Sequence, residues 1–462
     1  MRYSPDAEPL RPDQIEERAH DPRAFVPPRR TELNPDDAYS PQFVPGLNNA
    51  PPTIFYKRHE LITTLEYADV VGRVLAEMGL LADPDDQLPA PRYEKRLPDP
   101  RQEASDREEE DAGMGIRTFI VNQDSLSVAR MVKTLGSDPS SPVPAAVRVG
   151  PHHVLNLAPQ PSIGPGGDPR PHSEAPADGA KTDREPPPIV VVDTGVWRMP
   201  QPPPAEVEAT LSSDRDVEIV DSEPDGFVDE RGSAHGGFIA GVILSRLPNA
   251  PVKSFNAFEA DGLTELSVIR QVERALQHDK IVILNLSLGS YEDRECGGTE
   301  VVALREAMAR WAETDGLIVA AAGNDSLASP WYPAGFAAPN EYPDSVVSVG
   351  ALESACDGPG VHSKVAAFSN YGPWVTAWAP GVDVASYYPN DMKYMYYEAD
   401  GVTEAGSGVF NDGLALWDGT SFAAPFVAAE IARYAADNKL NPKAAWKALR
   451  DGRPFVVFWP MV

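Results

Sequence analysis

Two cysteines in 462 residues, Cys296 and Cys356, are too few for a disulfide framework. The chain must therefore fold around a core rather than crosslinks, and a reducing compartment suits it, although a single bridge between the pair stays open. Long apolar runs are missing too. No stretch is long enough for a membrane-spanning helix, and Met1 to Pro9 lacks the apolar centre of a secretory signal. A cytoplasmic protein is expected. Positive charge is scarce, with 40 Lys and Arg against 69 Asp and Glu and a formal net charge of −29. That balance argues against nucleic acid or an anionic membrane as partner. What the chain does have is bulk: 42% hydrophobic residues over a length that allows two or three domains.

The most informative segment is Gly419-Thr420-Ser421-Phe422-Ala423-Ala424-Pro425. Phe422, Val427, Ile431 and Tyr434 recur at roughly helical spacing, and Pro425 falls in the first turn, where a missing N–H breaks no bond. Ser421 then sits at a helix N-terminus, whose unpaired N–H groups and positive dipole end favour an oxyanion beside it. Alone, such a serine reads as an N-cap. Its company upstream changes the reading. Ile189 to Val192 is an apolar run that stops on Asp193 and the turn Thr194-Gly195. This is the pattern of a buried parallel strand with a carboxylate at its C-terminal end, where chemistry collects in open α/β sheets. His235 opens a second helix of small and apolar residues, Gly236 to Ile243. An Asp, a His and a Ser, each at the end of its own element, form the set that turns a hydroxyl into a nucleophile.

In that order and with those neighbours, the chain resembles the subtilisin-like serine peptidases, the subtilase family. Asp193-Thr194-Gly195 is similar to the family's acid motif, His235-Gly236 with Ala240-Gly241 to its histidine motif, and Gly419 to Pro425 to its nucleophile motif. Asn285-Leu286-Ser287-Leu288-Gly289 is similar to the segment that runs alongside bound substrate, and Ala321-Ala322-Gly323-Asn324 to the segment carrying the oxyanion-hole asparagine. The similarity covers about residues 186 to 440. It implies an α/β fold with three layers around a mostly parallel central sheet. It further implies Ser421 as nucleophile, His235 as general base, Asp193 as the partner of His235, and Asn324 as an oxyanion donor. Ser287, Leu288, Gly289, Ala322 and Gly323 would line the substrate. Gly237 and Phe238 stand where the family commonly has Thr and His, at positions that transfer no proton. Trp331, just ahead of Tyr332-Pro333-Ala334, is expected either over the primary specificity pocket, which it would narrow, or packed on a loop.

Residues 1–50 are rich in Pro, Asp, Glu and Arg without periodicity, and read as an extended arm. From 51 to 157 the pattern predicts strand 53–56, helix 65–81, strand 117–121, helix 125–135 and strands 146–149 and 154–157. That is a small α+β domain, for which a ferredoxin-like order is one candidate. A Pro- and Gly-rich linker, 158–188, leads to a peptidase domain over 189–462. For the small domain the resemblance implies a propeptide that inhibits or assists folding, while a permanent domain that docks a protein partner is the rival. The acidic run Asp214, Asp216, Glu218, Asp221, Glu223, Asp225, Asp229 and Glu230 reads as a solvated loop, a site for cationic side chains, or oxygen ligands for structural Ca²⁺. His152-His153 lacks further ligands at metal spacing, so no metal is assigned, and the chemistry requires no organic cofactor. Pro454 to Val462 is apolar and is expected to pack on the core or to serve as a docking peptide.

Three function classes follow. The first is a serine endopeptidase acting on polypeptides through an acyl-enzyme. The second is a catalytically silent polypeptide-binding module on the same scaffold, and the third a peptide ligase or macrocyclase in which an amine replaces water. The intact set Asp193, His235, Ser421 and Asn324 favours the first.

Overall fold

The computed structural model describes Gln42–Val44 and residues 54–82, 113–157, 169–176, 179–196, 234–259, 262–277, 281–292, 298–353, 364–388, 393–397, 403–407, 412–450 and 455–456. Both cysteines and the acidic run 214–230 lie outside the described residues, as does most of the N-terminal arm.

The N-terminal layer consists of β1 (Gln42–Val44), β2 (Ile54–Thr64), α1 (Leu65–Glu77), β3 (Ile116–Ile120), α2 (Ser125–Gly136), β4 (Val149–Val154) and β5 (Asn156–Leu157). Strands β1, β3 and β4 all pair antiparallel with β2. Helix α1 buries Val71, Val74 and Leu75, one helical stripe, and α2 starts on Asp124, whose side chain accepts the Ser127 N–H. These stripes close a small core with Leu61, Val128, Val132 and Val149. The layer differs from the sequence pattern in several places: Gln42–Val44, within the expected arm, forms β1, and the helix expected over 65–81 ends at Glu77. The strand expected to end at 56 runs on through Lys57-Arg58-His59-Glu60, and the strand expected to end at 149 begins there and carries His152 and His153. Alternation of apolar residues fails at these positions because the polar side chains have partners remote in sequence, Glu60 across the sheet for His152 and Glu265 outside it for His153. His152 Nδ1 lies 2.6 Å from Glu60 Oε2, and His153 Nδ1 lies 3.2 Å from Glu265 Oε2.

Next in the chain come β6 (Arg170–His172), β7 (Ile189–Asp193), α3 (His235–Arg246), β8 (Val252–Asn256), the hairpin β9 (Phe258–Glu259) and β10 (Gly262–Leu263), α4 (Glu265–Leu276), β11 (Ile283–Leu286) and β12 (Leu288–Tyr291). They are followed by α5 (Val302–Ala312), β13 (Leu317–Ala321), β14 (Trp331–Tyr332), β15 (Val346–Leu352), β16 (Ala377–Pro380), β17 (Val384–Tyr387), β18 (Lys393–Tyr397), β19 (Thr403–Ser407), β20 (Leu414–Trp417), α6 (Thr420–Asn438), α7 (Pro442–Arg450) and β21 (Phe455–Val456). Seven strands form the central sheet in the order β21-β16-β15-β13-β11-β7-β8, and every pairing in it is parallel. Strands β7, β11, β13 and β15 are buried at every residue, as expected of strands covered on both faces. Helices α3 and α6 pack on each other, with α6 also on β11, β13 and β15. Helix α3 is buried along its whole length, which its run of Gly, Ala, Val and Ile permits. Helices α4 and α5 pack together and carry the N-terminal layer, through β4 on α4 and β2 on α5. The result is the three-layer α/β arrangement expected.

Two segments outside the central motif region take on structure. The span expected as a linker contributes β6, which pairs antiparallel with β20, and Arg170 Nη2 reaches Asp418 Oδ1 at 3.2 Å. From the apolar C-terminal run, Phe455–Val456 adds the edge strand β21 to the sheet. Among the described residues no helix is long and apolar enough to cross a membrane.

Candidate active site

The sheet delivers Asp193 at the C-terminal end of β7, beside α3, which begins on His235. Thr194 makes the turn specific: its hydroxyl accepts the Gly236 N–H at 2.9 Å, so the strand end caps the helix. Gly236 permits the approach, because a Cβ there would lie 2.5 Å from the Gly195 carbonyl oxygen and 3.2 Å from Asp193 Cβ. His235 Nδ1 consequently faces both carboxylate oxygens of Asp193, at 2.8 and 2.9 Å. One of these oxygens also accepts the Thr194 N–H at 2.8 Å. His235 Nε2 is buried and has no hydrogen-bond partner.

Helix α6 brings Ser421 to the same place. The Phe422 ring lies 5.4 Å from the His235 ring and Trp417 contacts it edge-on at 5.7 Å, so the imidazole is held between two aromatic side chains flanking the serine. Phe238, the departure from the family pattern noted in the sequence, packs 4.6 Å from Phe422 and 5.5 Å from Trp417 and belongs to the same aromatic group. Asp193, His235 and Ser421 are all fully buried. The Ser421 hydroxyl donates to the Ser287 carbonyl at 3.4 Å, a long contact, while Ser287 Oγ donates to the Ser421 carbonyl at 3.0 Å. Ser421 Oγ and His235 Nε2 are not hydrogen-bonded to each other.

Asn324 stands on the other side of the helix start. Its Oδ1 accepts from both the N–H and the hydroxyl of Thr420, at 3.0 and 2.8 Å, and the same hydroxyl accepts the Gly323 N–H at 3.1 Å. With Oδ1 fixed, the buried Asn324 Nδ2 has no partner and remains free to donate. Thr420 is the residue that sequence reasoning passed over. It was legible only as a letter in the serine motif, whereas the structure makes it the link between two segments almost a hundred positions apart.

Ser287, Leu288 and Gly289 run along the edge of the site. Strand β12 lies between β14 and β5, with Leu288 opposite Leu157 and Gly289 opposite Asn156 in antiparallel register. Ala322 and Gly323 form the adjacent wall: the Ala322 carbonyl accepts from Asn370 Nδ2 at 2.9 Å, and Gly323 has φ of 99°. Trp331 is buried between these walls. Behind it, Tyr291 Oη donates to Asp325 Oδ2 at 2.6 Å and accepts from Asn370 Nδ2 at 2.8 Å. Burial raises the pKa of Asp325, and burial followed by the charge of Asp325 raises that of Tyr291 well above its usual value. Among the described residues no group of three or more His, Cys, Asp or Glu is arranged to hold a metal.

A fully parallel sheet with an Asp–His pair at its strand ends and a serine on the adjoining buried helix defines an α/β protein of hydrolase type. Residues 187–451, more than half of the chain, match the Subtilase family, and the chain belongs to that family. It is 26% identical over 265 residues to the thermophilic serine proteinase of Bacillus sp. (strain AK1), an alignment that covers 55% of this chain and 53% of that protein. It is also 29% identical over 210 residues to subtilisin BL of Lederbergia lenta, covering 44% of this chain and 66% of that one. The chain thus spans about half the length of the first of these relatives. In fold it is similar to the crystal structure of fervidolysin from Fervidobacterium pennivorans, a keratinolytic enzyme related to subtilisin. That likeness has a TM-score of 0.50 and 17% identity and covers 87% of this chain and 60% of that one.

Proposed function

We propose that the protein is a serine endopeptidase that cleaves polypeptides through an acyl-enzyme at Ser421. The observation that carries this reading is His235, held at Nδ1 by both oxygens of Asp193 and left without a partner at Nε2, beside the helix that bears the serine. An ionised Asp193 keeps the proton on Nδ1 and leaves Nε2 as the base. As Ser421 Oγ attacks the peptide carbonyl carbon, Nε2 takes its proton and negative charge moves onto the carbonyl oxygen. Asn324 Nδ2 and the Ser421 N–H, an orphan donor of the first helical turn, receive that charge. The imidazolium next gives its proton to the leaving amine, and water repeats the cycle on the acyl-enzyme. This sequence requires the Ser421 hydroxyl to turn from the Ser287 carbonyl toward His235. The substrate backbone would lie as a strand along Ser287, Leu288 and Gly289.

For the N-terminal layer, inhibition is the role best supported. The backbone of Asn156–Leu157 already lies antiparallel on Leu288–Gly289, along the track proposed for substrate, and the site behind it is fully buried. A cytoplasmic address belongs to the same proposal, on the strength of the acidic, cysteine-poor composition.

Labelling by a fluorophosphonate, followed by intact mass, tests both parts. The full chain is expected to label at Ser421, the Ser421→Ala chain not at all, and a chain carrying Asn156→Pro and Leu157→Pro at least about tenfold faster. That factor corresponds to losing about 1.4 kcal/mol of strand pairing, the scale of the one ladder bond that two adjacent residues can donate to the same neighbouring strand. Absence of labelling in all three would overturn the peptidase reading, and equal rates in the first and third would overturn the inhibitory one.

A further inference from the structure

We infer that Trp331 fills the pocket for the side chain of the acylating residue. The enzyme would then take polypeptides carrying Gly, Ala or Ser at the residue whose carbonyl Ser421 attacks. The inference rests on the serine peptidase reading and adds the substrate class to it.

The position of that side chain follows from the register. With Leu157 opposite Leu288, one further step along the antiparallel pairing brings a bound chain opposite Ser287, whose carbonyl is the present acceptor of the Ser421 hydroxyl. A side chain there leaves the strand perpendicular to the sheet on the face shared by Ser287 and Gly289, two residues apart, and that is the face on which the Trp331 indole lies against Gly289. Each wall carries a glycine beside the indole, Gly289 and Gly323, so neither wall puts a side chain of its own into that space. The room is already occupied. A Cβ on Gly289 would lie 3.0 Å from Trp331 Cδ2 and Cε2, and one on Gly323 would lie 3.1 Å from Trp331 Cε3, so the indole touches the backbone of both walls.

The indole is also held in place. Trp331 pairs with Tyr291 across β14 and β12, and the two rings lie 6.4 Å apart. Tyr291 is in turn fixed by Asp325 and Asn370. Moving Trp331 aside would disturb a buried, hydrogen-bonded layer, so a large incoming side chain meets a rigid floor. Asp325 does not convert the pocket into one for basic residues. It is buried, its pKa is raised by that burial, and its Oδ2 is engaged by Tyr291.

The test uses the chain with Asn156→Pro and Leu157→Pro. Its labelling at Ser421 is measured with two peptidyl diphenyl phosphonates that differ only in carrying the alanine or the phenylalanine side chain next to phosphorus. A simple fluorophosphonate, which has no such side chain, reports the competence of the serine. The alanine reagent is expected to label roughly 100-fold faster than the phenylalanine reagent, the scale on which a shaped apolar pocket discriminates. Trp331→Gly is expected to shrink that ratio at least about tenfold, and Trp331→Leu, which keeps an apolar filling, by a smaller factor in the same direction. Comparable rates for the two reagents, or failure of both where the fluorophosphonate labels, would sink the assignment of Trp331 and leave the peptidase reading intact. A fluorophosphonate that labels neither this variant nor the full chain removes the peptidase reading, and the inference with it.

Discussion

Thr420 and Asn324 show how one hydroxyl sets the chemistry of a distant amide. Two hydrogen bonds from Thr420 hold Asn324 Oδ1, while Nδ2 is buried without a partner. An unpaired buried donor costs roughly 1–3 kcal/mol, and a developing oxyanion would repay it only in the transition state. Asn324→Ala is therefore expected to lower kcat by about 10²- to 10³-fold with little change in KM. Thr420→Val removes the hydroxyl with its bonds to Asn324 Oδ1 and from the Gly323 N–H, leaves the Thr420 N–H bond to Asn324, and is expected to lower kcat by about tenfold. Steady-state kinetics on a peptide substrate separate the two, and a rise in KM with unchanged kcat would assign both residues to binding instead.

Among the elements, the junction of β7 with α3 decides whether His235, the proposed base, meets the Asp193 carboxylate. The strand end supplies the carboxylate, the helix start supplies the imidazole, and the two meet only because Gly236 lets backbone approach backbone. A methyl group there would sit 2.5 Å from the Gly195 carbonyl oxygen, inside van der Waals contact, and the helix would have to retreat. Gly236→Ala is expected to cost about 1–3 kcal/mol of stability, as overpacking does. It is also expected to lower kcat/KM by at least about tenfold, because misplacement of that order separates reacting groups. Thermal unfolding and kinetics measured together check this. Normal activity at normal stability would mean that the junction has slack that the packing does not suggest.

At the scale of the whole molecule, the N-terminal layer is tied to the α/β body by a pair of residues from opposite sides of the contact. His153 on β4 and Glu265 at the start of α4 are both fully buried, with Nδ1 and Oε2 3.2 Å apart, and the other Glu265 oxygen accepts the Leu304 N–H at 2.9 Å. Adjacent on the strand, His152 is bound by Glu60 of its own layer and accepts weakly from the Leu266 N–H at 3.4 Å. Removing one member of such a pair strands a buried carboxylate, and the cost falls on the contact between layers. His153→Ala is expected to speed fluorophosphonate labelling of the full chain at least about tenfold, equivalent to about 1.4 kcal/mol of weakened docking. It should also raise hydrogen exchange in β4. Unchanged labelling with raised exchange would separate the histidine pair from control of the site.

The strands and helices that carry the chemistry were legible in the sequence because their signals are local. An apolar run ending on Asp193, a small-residue helix opening on His235, and a serine before an apolar helix each state their element and their end within a few residues. The partly charged strand through Lys57 to Glu60 and the histidine-bearing β4 were not legible, because their polar side chains are satisfied by residues far away in the chain. The family, the three-layer α/β class and the elements that carry its motifs thus follow from the sequence alone. Only the tertiary structure decided that Thr420 holds Asn324, that Asn156–Leu157 lies along Leu288–Gly289, and that the Trp331 indole lies against both Gly289 and Gly323. These are contacts between segments remote in sequence, set by packing and hydrogen bonding in three dimensions, and no local periodicity encodes them.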